Sequence, residues 1–323
     1  MTLMLVLIGL IVGLVLLFFG GEWLVTGAAR LARSLGISPL IIGLTVVAMG
    51  TSMPELLVSL SAILRDSSDI SVGNVVGSNI ANIGLILGIS GLIYPISIHA
   101  SVLRRELPIM LVVAVAAYIT FLDGEVSRLD GALLVIGLIA FILFMIYASR
   151  TEQRQRALAE STALPEDDIS LSEIQRGREI LRLLLGIALL IIGAQLTVDN
   201  AVQFAESIGI SERIIGITLI AVGTSLPELV TSATAAFRKE SDIAIGNVVG
   251  SNIFNIVAIL GITALVKPIG VTAHLINIDA LVMLGFSFLL IPFVANRSLG
   301  RGEGAFFLLA YLSFLIYTFA AGA

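Results

Sequence analysis

The sequence predicts an all-α polytopic membrane protein: ten transmembrane helices arranged as two inverted five-helix repeats. Three observations predict it. Of 323 residues, 58% are hydrophobic and only 13% charged, with mean hydropathy +1.07, whereas a soluble domain carries about 25% charged residues. Apolar stretches of about 20 residues, long enough to cross the hydrocarbon core as a helix, recur along the whole chain. The stretch Gly50 to Ser90 is written again as Gly223 to Thr263, without a gap, at an offset of 173 residues and with 26 identities in 41 positions.

The expected spans are 3–26, 39–64, 70–93, 106–122, 129–149, 179–199, 213–237, 243–265, 276–295 and 304–321. The first begins at an apolar N-terminus without the positive region of a cleaved signal, so it reads as a retained membrane helix. Glu22 and Trp23 near its end read as an interfacial anchor. The second and third spans hold the first copy of the repeat. The seventh and eighth hold the second copy. Upstream of the copies, Gly36-Ile37-Ser38 matches Gly209-Ile210-Ser211. Between the fifth and sixth spans, the charged and Pro-interrupted segment from Arg150 reads as a solvated linker, with a short amphipathic helix near Ile169–Ile174. The chain therefore divides into a first repeat (1–149), a cytoplasmic linker (150–178) and a second, inverted repeat (179–323).

Lys and Arg bias loops to the cytoplasm. Loops after the odd-numbered spans carry 14 of the 18 basic residues, against 4 (Arg65, Arg128, Arg213 and Lys267) on the other side. Both termini are then expected outside, in a multi-pass inner (plasma) membrane protein. An odd number of spans per repeat forces the two copies to enter the membrane in opposite senses, an architecture of secondary transporters with a midplane site.

The chemistry sits in the copies. Glu55 and Glu228 lie inside apolar runs, where a carboxylate is costly and marks function. The bland alternative is a hydrogen-bonded pair that only holds helices together. Pro54 and Pro227 remove an N–H and break the helix, freeing carbonyls that a buried ion or water must satisfy. Thr51, Ser52, Thr224 and Ser225 add hydroxyls. In GNVVGSNIxNI, Asn74, Ser78 and Asn82 share one helical face, as do Asn247, Ser251 and Asn255. The flanking Gly73, Gly77, Gly246 and Gly250 are expected to let helices approach closely. Every donor is a hard oxygen, which suits Ca2+ or Na+. The chain has no cysteine and two histidines, His99 and His274, both in connections. Asn79 and Asn252, like Asn74 and Asn247, read as packing or capping residues. Asp69 and Asp242 read as N-caps. Ser59 and Ser232, four residues after each glutamate, read equally as carboxylate-orienting or packing residues.

The double motif GTSxPE followed by GNVVGSNI resembles the calcium/cation antiporter superfamily, most closely the compact prokaryotic form of its sodium/calcium exchanger branch. That resemblance implies antiport of Na+ against Ca2+ by alternating access, with no cofactor and no obligatory protein partner beyond membrane lipid. By motif position it implies ligands at Ala48, Thr51, Ser52, Glu55, Ser78 and Asn82, and at Ala221, Thr224, Ser225, Glu228, Ser251 and Asn255, the alanines through backbone oxygen. Some exchangers carry Asp where this chain has Asn255. Two carboxylates would neutralise one Ca2+, while three Na+ would leave about one excess positive charge, making exchange electrogenic. The alternatives are coupling to H+ or K+, or a cation channel. An enzyme is disfavoured, because no nucleophile–base or HExxH pattern is present, and nothing in the sequence points to nucleic acid.

Overall fold

The computed structural model describes residues 3–160, 173–207 and 221–321, and almost all of them are helical. Helix α1 (Leu3–Ser34) runs 32 residues, beyond the expected end of the first span. Gly36, at φ +64°, ends it in a conformation that favours glycine. Ser38 then caps α2 (Pro39–Thr51): its Oγ accepts the Leu40 N–H at 3.1 Å, and Pro39 occupies the first turn, where an N–H is not needed. The second copy of this turn, 209–211, lies outside the described residues. Helix α3 (Met53–Leu64) continues α2 after a 42° bend. The bend falls at Ser52, two residues before the proline that cannot donate to the Gly50 carbonyl.

The remaining helices are α4 (Ser68–Ile93), α5 (Leu107–Phe121), α6 (Arg128–Glu160), α7 (Glu173–Ser207), α8 (Ala221–Thr224), α9 (Leu226–Phe237), α10 (Ser241–Val266), α11 (Leu275–Val294) and α12 (Arg301–Ala321). Among the described residues six helices are long and apolar enough to cross a membrane, and the bent pair α2–α3 makes a seventh if it is one span. The expected span 106–122 is the 15-residue α5, preceded by a π-helical turn at Val102–Glu106. The expected span 304–321 lies within α12. Part of 213–237 lies outside the described residues. Both ends of the charged linker are helical, since α6 runs through Glu160 and α7 starts at Glu173. Most of the short helix expected near 169–174 lies outside the described residues.

Large apolar side chains such as Leu14, Leu133, Leu143 and Ile316 are more than half exposed on the outside of the bundle, while Thr51, Ser52, Glu55, Asn82, Glu228 and Asn255 are buried within it. This inside-out distribution is that of a protein whose solvent is lipid. Helix α1 packs along α7 through glycines. A Cβ on Gly20 would lie 2.8 Å from the Leu190 nitrogen, and one on Gly186 would lie 2.6 Å from that of Leu24. Small residues permit such backbone approach in a membrane, where van der Waals contact drives helix association.

The elements recur at the offset of the repeat. α9 repeats α3, and α10 repeats α4 down to its π-helical turn: Asn82–Leu87 in one, Asn255–Leu260 in the other. Contacts between the halves are reciprocal. Strand β1 (Ile96–Ser97) pairs antiparallel with β4 (Ser298–Leu299), and β2 (Glu125–Val126) with β3 (Ile269–Gly270), so Ile96 faces Leu299 while Val126 faces Ile269. A Cβ on Gly304 would meet the Gly88 carbonyl, and one on Gly131 the Gly261 carbonyl. Each of these contacts thus has a counterpart, with the halves exchanged, at the 173-residue offset.

Three smaller expectations are corrected. Asp69 and Asp242 do not occupy the N-caps: Ser67 and Glu240 do, and the aspartates sit in the first helical turn, where the helix dipole favours negative charge. Glu22 is an ion-pair partner, accepting from Arg238 Nε at 3.1 Å. Gly246 and Gly250 do let α2 approach closely, but among the described residues no heavy atom lies within 4 Å of a Cβ added at Gly73 or Gly77. Small residues permit a close contact without compelling one.

Candidate functional site: a buried carboxylate pair

The two breaks present the two glutamates. Ser52 (φ −83°, ψ 6°) and Ser225 (φ −88°, ψ 7°) leave helical geometry, and Pro54 and Pro227 restart the chain, so that Glu55 and Glu228 fall in the first turn of α3 and α9. A first-turn carboxylate faces the positive end of its helix dipole. Both are about 1% exposed.

Each carboxylate is held by the opposite copy. Ser52 Oγ donates to Glu228 Oε1 at 2.9 Å, and Ser225 Oγ donates to Glu55 Oε1 at 3.1 Å. Hydrogen bonds to an ionised acceptor are roughly twice as strong as neutral ones. Ser225 Oγ also lies 3.4 Å from Ser78 Oγ, which brings α4 into the cluster. Thr51 Oγ1 lies 3.2 Å from Asn247 Oδ1 and within 3.3 Å of the Val47 and Ala48 carbonyls. The Ala48 carbonyl accepts the Ser52 N–H at 3.0 Å. Asn82 Nδ2 donates to Asn252 Oδ1 at 2.9 Å, joining the two copies of the second motif. Ala221 opens α8, and Thr224 closes it.

Glu55 Oε2, Glu228 Oε2, Asn82 Oδ1, Asn255 Oδ1, Ser251 Oγ and Thr224 Oγ1 are buried and make no hydrogen bond among the described residues. An uncompensated buried polar atom costs on the order of 1–3 kcal/mol, more when charged. Such a concentration of orphan oxygens in one place fits a bound cation, and hard oxygens in this number suit Ca2+, which takes 6–8. Asn82 and Asn255 are both neutral, so the formal charge of the cluster comes from Glu55 and Glu228. Groups of three or more His, Cys, Asp or Glu able to hold a transition metal are absent among the described residues.

Two further residues hold the glutamates from behind. Asn74 Nδ2 donates to the Glu55 carbonyl (3.1 Å) and Ser59 Oγ (2.9 Å). Asn247 Nδ2 donates to the Glu228 carbonyl (3.4 Å) and Ser232 Oγ (2.9 Å). Sequence reading took Asn74 and Asn247 for packing or capping residues. The signal that could have promoted them was their identical 19-residue distance from each glutamate. Ser59 orients no carboxylate; it receives Asn74 and donates to the Ser71 carbonyl at 3.3 Å. Asn79 Nδ2 is turned onto its own helix at the Val75 carbonyl.

Comparison with known proteins supplies the family. The pattern of the sodium/calcium exchanger protein family matches residues 5–147 and 179–320, both halves of the chain. The inner membrane protein YrbG of Escherichia coli is 42% identical over 91% of this chain and 91% of its own length. The sodium/calcium exchanger MaX1 of Methanosarcina acetivorans is 36% identical, over 96% of this chain and 97% of its own. Among solved structures, the sodium-calcium exchanger NCX_Mj superposes with TM-score 0.84 at 32% identity, covering 98% of this chain and 99% of that one. On the match of both halves, the chain belongs to the sodium/calcium exchanger protein family.

Proposed function

We propose that this protein is a secondary active antiporter that exchanges Na+ for Ca2+ at a midplane site reached alternately from the two sides of the membrane. The observation that carries the reading is the reciprocal carboxylate cluster with its orphan oxygens. Cations supply what those oxygens lack, and an empty cluster leaves two buried carboxylates uncompensated. Only loaded forms then cross readily between the two states, which makes the protein an exchanger and not a leak.

The ligands on this reading are Glu55, Glu228, Thr51, Ser52, Thr224, Ser225, Ser78, Asn82, Ser251 and Asn255, with the backbone oxygens of Ala48 and Ala221. The architecture is ten transmembrane helices in two inverted repeats, 1–149 and 179–323, joined by a cytoplasmic linker. The reciprocal strand and glycine contacts support the repeat. The Lys/Arg distribution supports both termini outside. The ion pairs join loops assigned to the same side, Arg33 with Glu240 on one and Lys267 with Asp66 on the other, and so support the alternation of the spans. A multi-pass inner-membrane location agrees with the name of the Escherichia coli relative. The protein acts as a single chain with no cofactor.

The test is uptake of radiolabelled Ca2+ into proteoliposomes driven by a Na+ gradient alone. Wild-type protein takes up Ca2+, and Glu55→Gln and Glu228→Gln abolish uptake while eluting as folded protein. Wild-type flux in either variant, or uptake that needs H+ or K+ in place of Na+, refutes the reading.

A further inference from the structure

A cavity of about 500 Å3 lies against α4, α11 and α12. Ser78 and Thr224 line it beside the carboxylate cluster, Gly73 and Gly77 form part of its wall, and Asp69 and Asp279 also line it. Thr224, one of the lining residues, has an Oγ1 that is buried and without a hydrogen-bond partner among the described residues. Asp69 is exposed and Asp279 partly so. Neither makes an ion pair or hydrogen bond among the described residues. His274, exposed on the segment leading into α11, is near enough to act on Asp279 electrostatically without pairing with it. The nearby Lys267 is taken by Asp66.

The repeat provides an internal control. At the 173-residue offset, Asp69 corresponds to Asp242 and Asp279 to Glu106. The fully buried Glu106 is paired with Arg105 Nε, and His99 Nε2 lies 3.5 Å from Asp242. The positions that correspond to Arg105 and His99 are Ile278 and Thr272. The second copy therefore has no basic residue at either place, and neither Asp69 of the first copy nor Asp279 of the second has the basic neighbour that its counterpart has. The wall differs too. Among the described residues no heavy atom lies within 4 Å of a Cβ on Gly73 or Gly77, whereas a Cβ on Gly246 would lie 2.9 Å from the Leu40 carbonyl and one on Gly250 2.7 Å from that of Leu44. One face of the carboxylate cluster thus borders a cavity with two carboxylates that have no ion-pair partner among the described residues, while the equivalent face is packed by α2 and its carboxylates have basic neighbours.

We propose that this cavity is the cation entrance on one membrane face, and that Asp69 and Asp279 are its recruiting carboxylates, concentrating divalent cations on their way to Glu55 and Glu228. The inference rests on the proposed exchange function. A cleft lined by one sign of charge raises the local concentration of its counter-ion and the association rate by tenfold or more, an effect that falls with ionic strength. Recruitment is one-sided, because on the other face Arg105 pairs with Glu106, His99 lies against Asp242 and α2 packs onto Gly246 and Gly250.

The experiment measures radiolabelled Ca2+ uptake against Ca2+ concentration in proteoliposomes sorted by orientation, so that each face is presented separately. It compares wild type with Asp69→Asn, Asp279→Asn, the double variant and Asp279→Glu, at low and high concentrations of an inert salt. The double variant is expected to raise the Ca2+ KM at the Asp69/Asp279 face roughly 3–10-fold at low salt. The difference shrinks towards zero at about 1 M salt, where the Debye length is about 3 Å. The maximal rate and the KM at the other face stay at wild-type values, and Asp279→Glu retains the wild-type KM. Asp69 is exposed, so Asp69→Asn gives the same signature at smaller size should Asp279→Asn not fold. An unchanged KM at that face overturns the inference. So does an equal rise at both faces, a rise indifferent to salt, or a loss of maximal rate alone. A wild-type protein that performs no exchange fails the functional proposal instead.

Discussion

Gly250 and Gly77 occupy equivalent positions in the two copies of GNVVGSNI, yet the structure assigns them opposite surroundings. Substitution by alanine adds the same methyl group to the same type of helix. The gain in helix propensity, about 1 kcal/mol for Gly→Ala, therefore cancels between the two variants. Packing does not cancel. At Gly250 the new Cβ falls 2.7 Å from the Leu44 carbonyl oxygen, 2.8 Å from Ala48 Cβ and 2.9 Å from Leu44 Cα. Two of those three atoms are backbone, so α2 must move as a body. At Gly77 the Cβ meets nothing within 4 Å among the described residues. Overpacking of this kind costs on the order of 1–3 kcal/mol, which sets the expected difference in stability between Gly250→Ala and Gly77→Ala. The same quantity is the differential that loosens α2 from α10, a factor of roughly 5–150 at about 1.4 kcal/mol per decade. The assay is thermal unfolding of the purified variants in one detergent, with cysteine accessibility at Ser251→Cys as a second readout, possible because the chain has no native cysteine. Gly250→Ala melts several degrees below Gly77→Ala and exposes position 251. Equal melting temperatures, or a larger loss in Gly77→Ala, would show that α2 does not close on α10 as the structure has it.

Two further predictions follow from the same site. Asn247→Leu removes the donor to the Glu228 carbonyl and Ser232 Oγ at a fully buried position. It leaves acceptors unpaired at about 1–3 kcal/mol, so Ca2+ affinity in an equilibrium binding assay falls about tenfold or more, and an unaltered affinity shows that Asn247 does not hold the glutamate. With Asn82 and Asn255 both neutral, Glu55 and Glu228 balance one Ca2+ but not three Na+. Flux under a clamped potential is then voltage-dependent, and voltage-independent exchange shows that the ion stoichiometry is not three to one.

Much of the site was legible because it is written twice. A carboxylate beside a proline in an apolar run is costly enough that Glu55 and Glu228 stand out from one reading of the chain. The offset of the copies extends to helix boundaries and even to the π-helical turns at Asn82 and Asn255. Local rules failed where they met tertiary competition. Asp69 and Asp242 carry a good capping side chain, but the helices begin two residues earlier than that reading requires. Asn74 and Asn247 looked like packing residues because nothing in a linear pattern says that the backbone carbonyl of Glu55 or Glu228 comes within reach.

The sequence by itself determined the class of this protein and which polar residues gather in its interior, because both follow from composition and from a repeat. Residues that lipid will not tolerate unpaired have to face one another. Only the tertiary structure decided how the two halves differ. Glycines at equivalent positions became a packed seam on one side and a cavity wall on the other, and carboxylates at equivalent positions became paired with Arg105 and His99 or left open at Asp69 and Asp279. Two sequence copies in one chain share a pattern without sharing every surrounding: helix α2 packs on Gly246 and Gly250 of one, and the cavity borders Gly73 and Gly77 of the other.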